Sequence, residues 1–79
     1  MNVNVLAFGI VKDIFGKSSI SLDIDGTTTA DLKDSLERQY PRLKQLSSYM
    51  VAVNNEYAQD QCVLTEHDEI AIIPPVSGG

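Results

Sequence analysis

The chain has 79 residues, with 11 Asp and Glu against 6 Lys and Arg and a net charge of −5. That length holds one domain with a thin core, which leaves little room for a deep catalytic pocket. The acidic balance argues against nucleic acid and anionic membrane surfaces, both of which call for clustered Lys and Arg, and favours a basic partner surface.

Residues 2–8 alternate at first, with Asn2 and Asn4 polar and Val3 and Val5 apolar, as in a strand with one buried face. Leu6 and Phe8 then occupy the parity of the two asparagines, so the wet face turns apolar at the strand's far end. Gly9 to Gly16 reads as a short helix with Ile10, Ile14 and Val11 on its apolar side and Gly16 as its stop. In residues 17–25, Ile20, Leu22 and Ile24 alternate with Ser19, Ser21 and Asp23, which predicts a second strand antiparallel to the first, ended by Asp25-Gly26.

Residues 28–40 form the main helix. Thr28 and Asp31 make a capping-box pair, Leu32, Leu36 and Tyr40 an apolar stripe, and Asp34/Arg38 and Lys33/Glu37 two exposed i, i+4 pairs. Pro41 stops it and suits the start of another turn, with Leu43 and Leu46 following. Tyr49 to Val53 reads as a third strand, Asn54-Asn55 as a turn, and Glu56-Tyr57-Ala58 as a short return strand. Cys62-Val63-Leu64 is a brief apolar stretch, Thr65 to Asp68 a polar turn, and Glu69 to Ile73 the final strand. One good helix must then cover one face of a small mixed sheet and carry the crossover that lets two strands run parallel. The order is that of a β-grasp, an α+β fold: residues 1–73 make the domain and 74–79 an extended tail.

Two prolines, Pro74 and Pro75, forbid further strand pairing, and Val76-Ser77-Gly78-Gly79 follows with nothing bulky near its end. Such a tail fits a narrow slot, because glycine lets a foreign backbone approach closely. A carboxylate is a poor electrophile at neutral pH, so chemistry at Gly79 requires activation, most simply as an acyl-adenylate made from ATP. The alternative is a frayed chain end.

The other chemical candidates are weaker. Cys62 is the sole cysteine, which excludes an internal disulfide, and beside Val63 and Leu64 it reads as a small hydrophobe. The run Glu66-His67-Asp68-Glu69 matches no metal signature and reads as a solvated turn, so no metal is expected. The glycines form no phosphate-binding loop. The start of the chain does not read as a signal peptide and no run is long enough to span a bilayer, so a cytoplasmic or otherwise reducing compartment is expected. Strand parity supplies a second positive signal. If Val3, Val5, Ile70 and Ile72 face the helix, then Leu6, Phe8, Ala71 and Ile73 face the other way, near the start of the tail. Either the short helix or a loop covers this patch, or it is an interface; its adjacency to the tail favours the interface.

The stretch from Asp68 through Ile70-Ala71-Ile72-Ile73-Pro74-Pro75-Val76-Ser77 to Gly79 resembles the small, sulfur-carrying subunit of molybdopterin synthase. Val51-Ala52-Val53-Asn54-Asn55-Glu56-Tyr57 and Val5-Leu6-Ala7-Phe8 resemble that family too, and the resemblance covers essentially the whole chain. His67, where a turn glycine is common, and Lys12-Asp13, where Arg-Glu is common, depart from the pattern. The resemblance implies that Gly79 is adenylated by a ubiquitin-activating-like adenylyltransferase using ATP and converted to a thiocarboxylate. Pro75, Val76, Ser77 and Gly78 would insert with it into the large catalytic subunit, where the sulfur passes to cyclic pyranopterin monophosphate. It further implies an interface at Phe8, Tyr57 and Ile73, a heterotetramer, no bound cofactor and no catalytic side chain on this chain. Sulfur carriers for thiamine or tRNA thiolation share the tail chemistry, and a ubiquitin-like protein modifier would instead end in an isopeptide bond to lysine.

Overall fold

The computed structural model describes residues 1–46 and 48–75. Strands β1 (Asn2–Ala7), β2 (Ser19–Asp23), β3 (Met50–Val53), β4 (Glu56–Tyr57) and β5 (Ile70–Ile73) form one sheet in the order β2-β1-β5-β3-β4. Helix α1 (Ile10–Phe15) follows β1, and α2 (Thr29–Gln39) is succeeded by a 3-10 turn over Pro41–Gln45. The central pair, β1 and β5, is parallel, with Val5 opposite Ile70, Leu6 opposite Ala71 and Ala7 opposite Ile72. All other pairings are antiparallel, including that of β1 with β2.

Burial follows the strand alternation. In β1, Val3, Val5 and Ala7 are buried while Asn2 and Asn4 are exposed, and in β5 Ile70 and Ile72 are buried while Ala71 and Ile73 are half-buried. These strand residues share a core with Leu32 and Leu36 of α2 and with Leu22, Leu43 and Leu64. The helix start is built as its sequence implies. Asp31 N–H donates to Thr28 Oγ1 at 3.3 Å, and the Asp31 carboxylate accepts from the N–H groups of Thr28 (3.1 Å) and Thr27 (3.0 Å). Gly26, at φ +123°, comes so close to this carboxylate that a Cβ there would stand 2.1 Å from Asp31 Oδ2.

Three expectations need correction. The buried side of α1 is Val11 and Phe15, whereas Ile10 is exposed and Ile14 half-buried. The reason is tertiary: Phe15 packs on Tyr40 with ring centroids 4.6 Å apart, which turns α1 toward the end of α2. Lys33 reaches Asp60 at 2.9 Å, and Glu37 accepts a short hydrogen bond from the Tyr49 hydroxyl, so the expected Lys33/Glu37 pair yields to partners beyond the helix. Of Cys62-Val63-Leu64, only Leu64 is buried; Val63 is exposed and makes an isolated bridge to Thr28. The other helical pair, Asp34/Arg38, forms at 3.1 Å on the exposed side.

Candidate partner surface and tail

The two helices share the sheet's buried face. Val11 and Phe15 of α1 join the same core as α2, so α1 does not cover the opposite face. The register then assembles that open face. Leu6 lies beside Ala71, Ala71 beside Ala52, and Ala52 beside Tyr57, a row crossing β1, β5, β3 and β4. One step toward the tail, Ile73 lies beside Met50. Phe8 is 48% exposed, Met50 46% and Tyr57 67%. Adjacent strands present side chains at the same register to the same face, so these residues make one apolar surface where the chain passes into Pro74-Pro75.

Of the sequence candidates, Phe8 lies at the end of β1, Ile73 ends β5 half-buried, and Tyr57 projects from the edge strand β4. Pro75 is half-buried; Val76, Ser77, Gly78 and Gly79 lie outside the described residues. Met50 is a further residue of this face that the sequence does not single out, because it lies in a continuous apolar run and only its pairing with Ile73 assigns it a side. Gly9 and Pro74 form a second missed feature. Gly9 takes φ +56° and ψ −132° before α1, and a Cβ on it would stand 3.1 Å from Pro74 Cγ. No single-sequence pattern signals that approach, because the two residues are brought together only by the β1/β5 pairing.

The turn beneath the patch is held by side chains that the sequence reading assigned to solvent. Asp68 accepts from Thr65 N–H at 2.8 Å and from Asn54 Nδ2 at 3.0 Å, and Glu69 N–H donates to Asn54 Oδ1 at 2.9 Å. The Thr65 N–H, then the Asn54 amide, hold the Asp68 carboxyl below its ordinary 3.8. Asn54 and Asn55 both have positive φ, 53° and 70°, the geometry of a tight β3–β4 hairpin. The cluster ties that hairpin to the entry of β5.

Elsewhere, burial and then the hydrogen bond to Glu37 push the Tyr49 hydroxyl well above its usual range, which keeps it a neutral donor between α2 and β3. Cys62 is half-buried, its thiol 3.8 Å from the Val63 carbonyl oxygen; its own carbonyl accepts from Thr29 N–H at 2.9 Å. Among the described residues, no group of three or more His, Cys, Asp or Glu is placed to hold a metal ion, and no helix is long and apolar enough to cross a membrane.

Residues 5–79 match the model of the ThiS family. The chain is 44% identical over 80 residues to the molybdopterin synthase sulfur carrier subunit of Dictyostelium discoideum, covering 95% of this chain and 93% of that one. It superposes on the small archaeal modifier protein 1 of Methanosarcina acetivorans with a TM-score of 0.82 at 27% identity, covering 99% of this chain and 96% of that one. A chain in the complex of subunits 1 and 2 of the molybdopterin-converting factor from Helicobacter pylori matches with a TM-score of 0.69 at 25% identity, each covered fully. The β-grasp sheet with its single main helix and these full-length likenesses agree: the chain belongs to the ThiS family, alongside the sulfur carrier subunits of molybdopterin synthase.

Proposed function

We propose that this protein is the sulfur carrier subunit of a molybdopterin synthase, and that its reactive group is the carboxylate of Gly79. The observation that carries the reading is the family match, which runs through Gly79 and includes relatives named as such subunits. In this reading a ubiquitin-activating-like adenylyltransferase binds ATP; the Gly79 carboxylate attacks the α-phosphate and pyrophosphate leaves. A sulfur nucleophile then displaces AMP from the acyl carbon, leaving a thiocarboxylate. Pro75, Val76, Ser77 and Gly78 carry it into the large subunit, where its sulfur is donated to cyclic pyranopterin monophosphate toward the dithiolene. This chain contributes no catalytic side chain and binds no cofactor of its own.

The open face docks the large subunit through Phe8, Tyr57, Ile73 and Met50. Exposed aromatic and methionine side chains are what interface cores favour. The named partnership in the Helicobacter pylori complex supports a large-subunit partner. The assembly is a cytoplasmic heterotetramer with two large subunits at its centre.

Incubation with the activating enzyme, ATP and a sulfur source should raise the intact mass by about 16 Da, one oxygen exchanged for sulfur. No gain, where a known carrier gains it, overturns the proposal. Deleting Gly79 should abolish loading and leave the thermal transition unchanged.

The likeness to a small archaeal modifier protein favours a second reading, conjugation of Gly79 to protein lysines. Lysine-linked adducts that survive denaturing, reducing electrophoresis would support it, and their absence would remove it.

A further inference from the structure

Gly9 stands where β1 gives way to α1, and its φ of +56° with ψ of −132° is open to glycine and strained for an L side chain. Its turn carries the chain off the sheet into α1. Because Ala7 lies opposite Ile72 in a parallel pair, Phe8-Gly9 and Ile73-Pro74 leave the sheet side by side. The 3.1 Å between a Cβ on Gly9 and Pro74 Cγ is closer than the separation at which carbon atoms attract. Gly16 also has a positive φ, yet a Cβ there meets nothing within 4 Å. A positive φ alone therefore does not bring about a close approach, and of the two glycines that make one, Gly26 meets Asp31 of its own helix cap whereas Gly9 meets Pro74 at the start of the tail. Proline has no N–H with which to extend the ladder and a φ held by its ring, so a seat for that ring constrains the direction of the next residue.

The geometry points to Gly9 as a positioning residue for the tail: its missing side chain seats Pro74 and sets the direction in which the chain leaves β5. The inference rests on the sulfur carrier reading and adds a link to it. Docking through the open face and delivery of Gly79 become geometrically coupled, because the seat lies next to Phe8 at the edge of the docking surface. Catalysis is sensitive to placement, and a misdirected tail reaches the activating site less often without binding the partner less tightly.

The test uses the full chain with the activating enzyme, ATP and a sulfur source, well below the thermal transition. Gly9→Ala and Pro74→Gly should each lower the kcat of loading about tenfold with KM for the carrier changed less than about threefold, as displacement of a reacting group does. The double variant should also lose about tenfold, against about a hundredfold for independent effects. A NOESY cross-peak between Gly9 Hα and the Pro74 ring protons should be present in the wild type and absent in Gly9→Ala. Pro74→Gly lies beyond β5 and keeps the fold should Gly9→Ala not. Wild-type kcat in the variants, with only a lower melting temperature, overturns the inference, as does a multiplicative double variant. If the wild type itself gains no sulfur, the sulfur carrier reading fails, and Gly9's role is decided by the cross-peak: its absence overturns that role too.

Discussion

Phe8 and Met50 each leave nearly half of their surface in water on the sheet face opposite α2, and neither contributes to the buried core. Charged replacements there should act on association and leave folding alone. Phe8→Asp and Met50→Asp should each weaken large-subunit binding by about 2 kcal/mol, some thirtyfold in Kd, as central interface residues do. Titration calorimetry with the isolated large subunit reads the affinity, and the melting temperature should stay within a degree or two. An unchanged Kd for both would remove the open face as the docking surface. Cys62 is half-buried, with its thiol beside a backbone carbonyl, so Cys62→Ser should load sulfur at the wild-type rate in the mass assay. Phe8 was readable from parity in the first strand. Met50 was not picked out, because Tyr49 to Val53 reads as a continuous apolar run whose two faces separate only once its pairing with β5 is known.

The start of α2 is the element most dependent on a few atoms. One carboxylate, Asp31, receives the N–H groups of Thr27 and Thr28 and the Thr28 hydroxyl, and Gly26 lies against it. Gly26→Ala should cost about 2 kcal/mol in urea denaturation, combining a lost cap with a side chain forced to positive φ. The hydrogen bonds from Thr28, backbone before side chain, hold the Asp31 carboxyl below its ordinary 3.8, and Asp68 is held down in the same sense by Thr65 and Asn54. A carboxyl with a lowered native pKa binds fewer protons folded than unfolded. Its stabilisation is complete above 3.8 and is lost as the pH falls through the lowered value. Stability against pH should therefore fall below about pH 4 more steeply in the wild type than in Asp31→Asn, as followed by denaturant titration. Equal slopes would show that the cap carboxylate titrates normally. The capping box was legible as Thr28 and Asp31 three residues apart. The Lys33/Glu37 pair was misread because local spacing does not count competitors, and Asp60 and Tyr49 offer shorter routes to the same charges.

At the scale of the whole molecule, the small core leaves little in reserve. Ile70 sits at the centre of the sheet, paired to both Val5 and Val53 and fully buried. Ile70→Ala should cost about 2–5 kcal/mol, a large part of the stability of a domain this short. A shift in the urea midpoint without a change in slope is the expected reading, and a midpoint within error of wild type would contradict it. The sequence alone determined the faces of the first two strands and the last, the limits and cap of the main helix, the α+β architecture of one main helix on a mixed sheet, and a tail of small residues that resembles a sulfur carrier. All of these depend on periodicity, steric rules or short motifs, which act between neighbours along the chain. The tertiary structure alone decided that α1 turns Val11 and Phe15 inward, that Met50 joins Ile73 on the open face, and that Gly9 makes room for Pro74. These depend, in turn, on packing between α1 and the end of α2, on the antiparallel register of β3 with β5, and on the parallel register of β1 with β5. Such contacts join residues far apart in sequence, and no local pattern encodes where they meet.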